Sequence, residues 1–195
     1  MRRKRILSTI MLSIVITAPF FGAAPEKPTF GVHVLFGGRY DDVRMCVGSP
    51  SGVKGGPIGE VYFDVRFPAG EKSSLVLNIP IFRPILFGAA FKMLQFEPQM
   101  TYERLLGPED GSQWVIGGGL GAVFHYGPNY QSDPDNRGDD FFAVGPLLSA
   151  SVGLRLDGRS GSWTPGIKVF YAPLFSADYA VGTLLGGGLE AHYSR

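Results

Sequence analysis

Three histidines, His33, His125 and His192, are the side chains of this sequence best suited to proton transfer or metal ligation. His192 stands two residues after Glu190 and two before Ser194, in the stretch Gly-Leu-Glu-Ala-His-Tyr-Ser-Arg. Residues two apart share one face of an extended strand, and a carboxylate beside an imidazole is the minimum for acid–base chemistry. His125 follows a glycine-rich run with no second histidine or carboxylate at ligand spacing, which predicts a polar interior residue rather than a metal ligand. Asp133, Asp135, Asp139 and Asp140 are spaced unlike a calcium-binding loop and lack its closing glutamate, so they read as a solvated loop. Neither metal nor cofactor is expected. Cys46 stands alone, which excludes an intramolecular disulfide and a thiolate cluster.

Whether these residues meet depends on the elements that carry them. Period-two alternation recurs in eight segments separated by turn chemistry: 29–40, 58–67, 74–87, 93–106, 113–126, 141–156, 163–175 and 178–193. In the fourth, Met-Leu-Gln-Phe-Glu-Pro-Gln-Met-Thr-Tyr-Glu-Arg-Leu-Leu, one parity carries Leu94, Phe96, Met100 and Tyr102. The other carries Gln95, Glu97, Gln99, Thr101 and Glu103. Pro80 and Pro84 weaken the third segment, and Pro98 needs a bulge or an unpaired position in the fourth. Gly117–Gly119 and Gly186–Gly188 lie inside strand patterns with no helix following, so they make room for neighbours rather than cradle phosphate. Long links, 41–57 and 127–140, alternate with short ones around much of the chain, a rhythm of up-and-down barrels with tight turns at one end.

The first residues, Met-Arg-Arg-Lys-Arg followed by an apolar run to Phe21 and then Gly22-Ala23-Ala24, have the layout of a secretory signal peptide. Residues 1–24 are expected to be removed, leaving 25–195 as one domain. That leaves 14 Lys and Arg against 17 Asp and Glu, a formal charge of −3 without a basic cluster, which argues against nucleic-acid binding.

Two solvents compete for the apolar face. Most segments run 10 to 16 residues, enough for a tilted strand to cross a bilayer, whereas soluble strands commonly have about five or six. Aromatic residues gather near segment ends, among them Tyr40, Phe67, Phe87, Tyr102, Trp114, Tyr126, Phe141, Trp163, Phe175, Tyr179 and Tyr193. The expected fold is all-β, an eight-stranded antiparallel up-and-down transmembrane β-barrel. Its polar parity would then line the lumen, as a network of Arg39, Glu60, Asp64, Arg66, Glu97, Glu103, Arg155, Lys168, Glu190, His33 and His125. An eight-stranded barrel is just filled by its own side chains, so paired charges would plug it. Closure would also bring Glu190 and His192 toward His33, as an interior hydrogen-bond network rather than a catalytic centre.

In strand count, alternation and loop rhythm the chain resembles, over about residues 28 to 193, the small outer-membrane β-barrel proteins of Gram-negative bacteria, the OmpA-like and opacity-type porin group. The resemblance implies an outer-membrane location. Its implied partners are lipid and lipopolysaccharide, the barrel-insertion machinery and a surface partner met through the loops. The spacing His192-Tyr193-Ser194 is also similar to that of the outer-membrane lipid A deacylases, which implies Ser194 as nucleophile and His192 as its base. Glu190 is the third candidate catalytic residue, although the acidic partner that family places downstream of the serine has no counterpart here. A narrow solute pore and a soluble periplasmic lipid-binding barrel also compete with a structural or surface-interaction role.

Overall fold

The computed structural model describes residues 27–41, 55–82, 94–108, 111–128, 140–177 and 181–195. The expected signal peptide, Cys46, Pro84, the Asp133–Asp139 stretch and most of both long links lie outside these residues. The strands are β1 (Thr29–Asp41), β2 (Gly55–Gly70), β3 (Ser73–Phe82), β4 (Leu94–Phe96), β5 (Gln99–Leu106), β6 (Gln113–Pro128), β7 (Asp140–Gly158), β8 (Gly161–Ser176) and β9 (Gly182–Ser194). Neighbours pair antiparallel, and β6 meets β7 while β1 meets β9, so the sheet closes into a ring. Short β4 continues β5 along the same edge of β6, which makes the ring eight strands wide.

Closure is staggered. Following paired positions from Phe30 leads through Val65, Leu77, Met100, Leu120, Leu148, Tyr171 and Leu185 back to β1 at Tyr40, ten residues beyond the start. Every position on this path is apolar or aromatic. A rise of ~3.3 Å per residue and a tilt of ~40° turn that stretch into ~25 Å of height, the thickness of a barrel's apolar band.

The two faces are inverted relative to a soluble barrel. Leu189 is 68 % exposed and Phe36 62 %, whereas His33, Arg39, Glu60 and Asp64 are all buried, none above 4 %. In water such a surface would be an aggregation liability, whereas in hydrocarbon it is the favourable one. Exposed aromatics cluster at strand ends: Phe67, Tyr102, Trp114 and Trp163 toward the short turns, Tyr40, Tyr126, Phe142 and Phe175 toward the long links. Tyr193 packs against Trp163, ring centroids 5.0 Å apart, and donates its hydroxyl to the Ser160 carbonyl, fastening one turn.

The prolines fall where the ladder gives way. The β2–β3 register shifts between Tyr62↔Pro80 and Val61↔Phe82, leaving Ile81 as a bulge beside Pro80. The fourth segment, expected as one strand, is split at Glu97 and Pro98. Register nevertheless survives from Phe96↔Phe124 to Gln99↔Gly121, because the Pro98 carbonyl still accepts from Ala122 N at 3.1 Å. Two loop boundaries also differ from expectation: Asp41 ends β1 and residues 55–57 begin β2, while Gly127, Pro128 and Asp140 belong to β6 and β7. The alternation simply extends farther than the turn-forming residues suggest.

The closing seam depends on glycine. A Cβ on Gly188 would stand 2.3 Å from the Phe36 carbonyl oxygen, and one on Gly37 would stand 2.1 Å from that of Gly187. Gly118, by contrast, has nothing within 4 Å of its Cβ position. We therefore expect Gly188→Ala to destabilise the barrel by more than ~1 kcal/mol and Gly118→Ala to change stability by less than ~0.5 kcal/mol, measured by urea titration in lipid vesicles. Leu120→Arg, in the middle of the apolar belt, should cost ~2–4 kcal/mol in the same assay.

Candidate functional site

Interior side chains come from alternate positions of every strand, and the stagger decides which of them meet. Toward the short-turn end, His33 of β1 lies opposite Tyr62 of β2 and His192 of β9. The three rings stack across three strands: 4.2 Å and 9° between His33 and Tyr62, 4.2 Å and 21° between His33 and His192. Asp64 lies one diagonal step away. It accepts from His33 Nδ1 at 2.8 Å, from Asn78 Nδ2 at 2.8 Å and from His192 Nδ1 at 3.3 Å. Thr101 Oγ1 donates to Asn78 Oδ1 at 2.7 Å, and Glu190 lies 3.2 Å from His192 Nε2. Tyr62 donates to Glu60, and Lys168 Nζ stands 5.3 Å over the Tyr62 ring.

A second cluster lies toward the long links. Arg39 donates from Nη1 to Glu97 at 2.9 Å, and from Nη2 to Asp41 at 2.7 Å and to His125 Nε2 at 2.9 Å. The four side chains are no more than 5 % exposed. One guanidinium thus serves two carboxylates and an imidazole, a use of its planar set of donors that an ammonium could not match. Because its Nε2 accepts from Arg39, His125 faces a cation and is poorly placed to ligate another.

Part of the interior between and around these clusters is apolar. Leu35 separates His33 from Arg39 on β1, Phe170 follows Lys168 on β8, and Ile58, Val123, Ala143, Leu147, Ala172, Leu174 and Leu184 join them in one buried group. The polar network expected in the lumen is thus accompanied by an apolar group. Phe170 fits because Gly186 faces it, where a Cβ would come within 2.4 Å of its ring. Gln99 and Ser149, hydrogen-bonded at 2.7 Å, similarly lie over Gly119.

At the short-turn mouth a cavity of about 440 Å³ is lined by Arg66, Glu103, Arg155, Thr164 and Ser194, among others. Arg66 donates to Glu103. Arg155 pairs with Asp157 at 2.9 Å and is 35 % exposed, so it belongs to the rim rather than to the buried network.

No protein-family model matches the chain, and no curated protein matches it in sequence. Solved structures match it in fold. Neisserial surface protein A (NspA) superposes with a TM-score of 0.62 at 6 % identity, covering 88 % of this chain and 99 % of that one. The N-terminal β-barrel domain of Pseudomonas aeruginosa OprF superposes with a TM-score of 0.44 at 10 % identity, over 87 % of this chain and 100 % of that one. The chain has the fold of a small eight-stranded outer-membrane barrel.

Within this fold His192 and Ser194 do not form a nucleophile–base pair. Both ring nitrogens of His192 point at carboxylates, and Ser194 Oγ pairs with Ser162 Oγ at 2.8 Å. The interior residues expected from sequence sort into three groups: His33, Asp64 and Glu190 with Glu60 and Lys168 nearby; Arg39, Glu97 and His125; and the rim set Arg66, Glu103 and Arg155. Asp41, Asn78 and Tyr62 complete those groups, and the sequence pattern assigns none of them a partner. The turn-forming residues around Asp41 suggest a loop, although it continues the parity of His33 and Arg39, the signal that places it inside.

Arg39→Ala removes the guanidinium that the buried Asp41 and Glu97 share, and should cost ~3–5 kcal/mol. Replacing all three together, by Arg39→Met, Asp41→Leu and Glu97→Leu, should recover most of that loss in urea titrations.

Proposed function

We propose that the chain is an outer-membrane β-barrel protein of a Gram-negative envelope, with a lumen closed by its own side chains and a structural or surface-interaction role. The observation that carries this reading is the interior itself: two buried charge clusters with the Leu35–Phe170 apolar group between them. An ion moving along the axis would have to break paired charges and then cross an apolar constriction, each costly in a low-dielectric interior. The apolar belt supports residence in lipid, with lipopolysaccharide and the barrel-insertion machinery as partners. The long connections, residues 41–57 and 127–140 as read from sequence, are the surfaces left for recognition, because the strands offer lipid mostly apolar and aromatic side chains. The name of the structural neighbour, a surface protein, accords with that role.

Among the described residues the hydrolase alternative finds no base directed at Ser194, and the soluble alternative would leave Phe36, Leu189 and their neighbours in water. Single-channel recording in planar bilayers tests closure. Protein with a closed lumen should give no steady conductance, and sustained openings of the wild-type barrel would overturn the reading.

A further inference from the structure

We propose that His33, Asp64 and His192 form a binding site for one divalent transition-metal ion of the zinc class. Their donor atoms all lie within 4.8 Å of one another. Both imidazoles present Nδ1 to the same carboxylate, at 2.8 and 3.3 Å. Two imidazoles and a carboxylate on one small volume are a three-ligand set that leaves a coordination position open for water or a further group.

The surroundings suit the ion as well as the donors do. Metal-bound imidazoles usually donate their second ring N–H to a carboxylate or carbonyl, which fixes tautomer and orientation. Glu190, 3.2 Å from His192 Nε2, stands where that acceptor is needed. Asp64 is oriented by Asn78, itself held by Thr101, so the carboxylate keeps a supporting hydrogen bond whichever oxygen turns to the metal. Coordination through Nδ1 would displace the protons both rings now direct at Asp64: His192 releases that proton to solvent and keeps Nε2–H toward Glu190, while His33 carries its remaining proton on Nε2. Asp64 and Glu190 together balance a dication.

Access comes from the short-turn mouth. Thr164, opposite His192 in the β8–β9 ladder, and Ser194, two residues beyond His192, both line the cavity there, and the His192 side chain is 13 % exposed. Closing the donors around an ion at metal–nitrogen distances of ~2.0–2.1 Å requires the two stacked rings to tilt toward each other. That motion is available at the mouth-facing His192. The second buried cluster offers an internal comparison, because His125 Nε2 accepts from Arg39 and that centre already holds a cation.

Untagged full-length protein, folded in detergent and stripped with chelator, should bind one Zn²⁺ per chain by calorimetry and elemental analysis. His192→Gln and Asp64→Asn should each weaken binding ~100-fold or more, and Asn78→Ala by ~10-fold, while His125→Gln leaves it unchanged. Heat-modifiable gel migration identifies the variants that have folded. The wild-type protein loaded with Cu²⁺ gives a readout that needs no variant: pulsed electron paramagnetic resonance should show two coordinated imidazoles. Substoichiometric Zn²⁺ binding, a Cu²⁺ spectrum without imidazole couplings, or equal loss in His125→Gln would overturn the assignment.

Discussion

Closure of β1 onto β9 is the constraint from which the remaining structure follows. In hydrocarbon an unpaired backbone N–H or C=O costs several kcal/mol, so a sheet surrounded by lipid cannot keep an edge. Here the two would-be edges meet in a ladder running without interruption from Gly31↔Ser194 to Asp41↔Leu184. The glycines at 37 and 188 are what let these strands approach so closely. Closing a ring of tilted strands also fixes the stagger, and a given stagger admits only one set of neighbours inside. His33 therefore meets His192, and Arg39 meets His125, through register rather than through proximity in the chain.

A barrel of this width cannot leave its interior to water alone, and filling it raises an electrostatic problem. Each buried charge has to recover in pairing what it lost in hydration. The chain meets this by grouping: one guanidinium between two carboxylates and an imidazole in one half, one carboxylate receiving three donors in the other. Apolar side chains fill the intervening space, which limits the number of charges that must be paired. Large residues face glycine there, as Phe170 faces Gly186, so volume is conserved across the lumen.

Much of the fold is legible in the sequence because the relevant signals are local. Alternation such as Val32, His33, Val34 or Met100, Thr101, Tyr102 reports directly which parity is polar, and segment length with terminal aromatics decides which parity meets lipid. The grouping of the interior is less legible. His33 and Asp64 are 31 residues apart and Asp64 and His192 are 128 apart, so no spacing in the chain announces that they converge. Their meeting depends on the stagger, a property of the closed ring that no single strand encodes. The apolar part of the lumen is obscured for a related reason. Leu147, Phe170 and Leu174 share the parity of Ser149 and Lys168, but in segments apolar on both faces the alternation that distinguishes inside from outside disappears.

The interruptions of the ladder are distributed unevenly, and this bears on where the interior is rigid. The bulge beside Pro80, the break at Glu97–Pro98 and the unpaired stretch across Pro146 and Pro173 lie in the half nearer the long links. Irregularities near the short turns involve Pro68 and Pro165, toward the rim. Strand β1 escapes both sets: its ladder to β2 is continuous from Thr29↔Arg66 to Tyr40↔Gly55, and its ladder to β9 is equally unbroken. Backbone segments with complete ladders open locally less readily than those with gaps. Tyr62, the outer ring of the stack, lies on β2 beside the bulge at Ile81, whereas the stacked rings of His33 and His192 are mounted on the unbroken β1–β9 ladder. Side chains held on such a frame lose little additional freedom on engaging a ligand, which is the condition under which a small set of donors becomes selective.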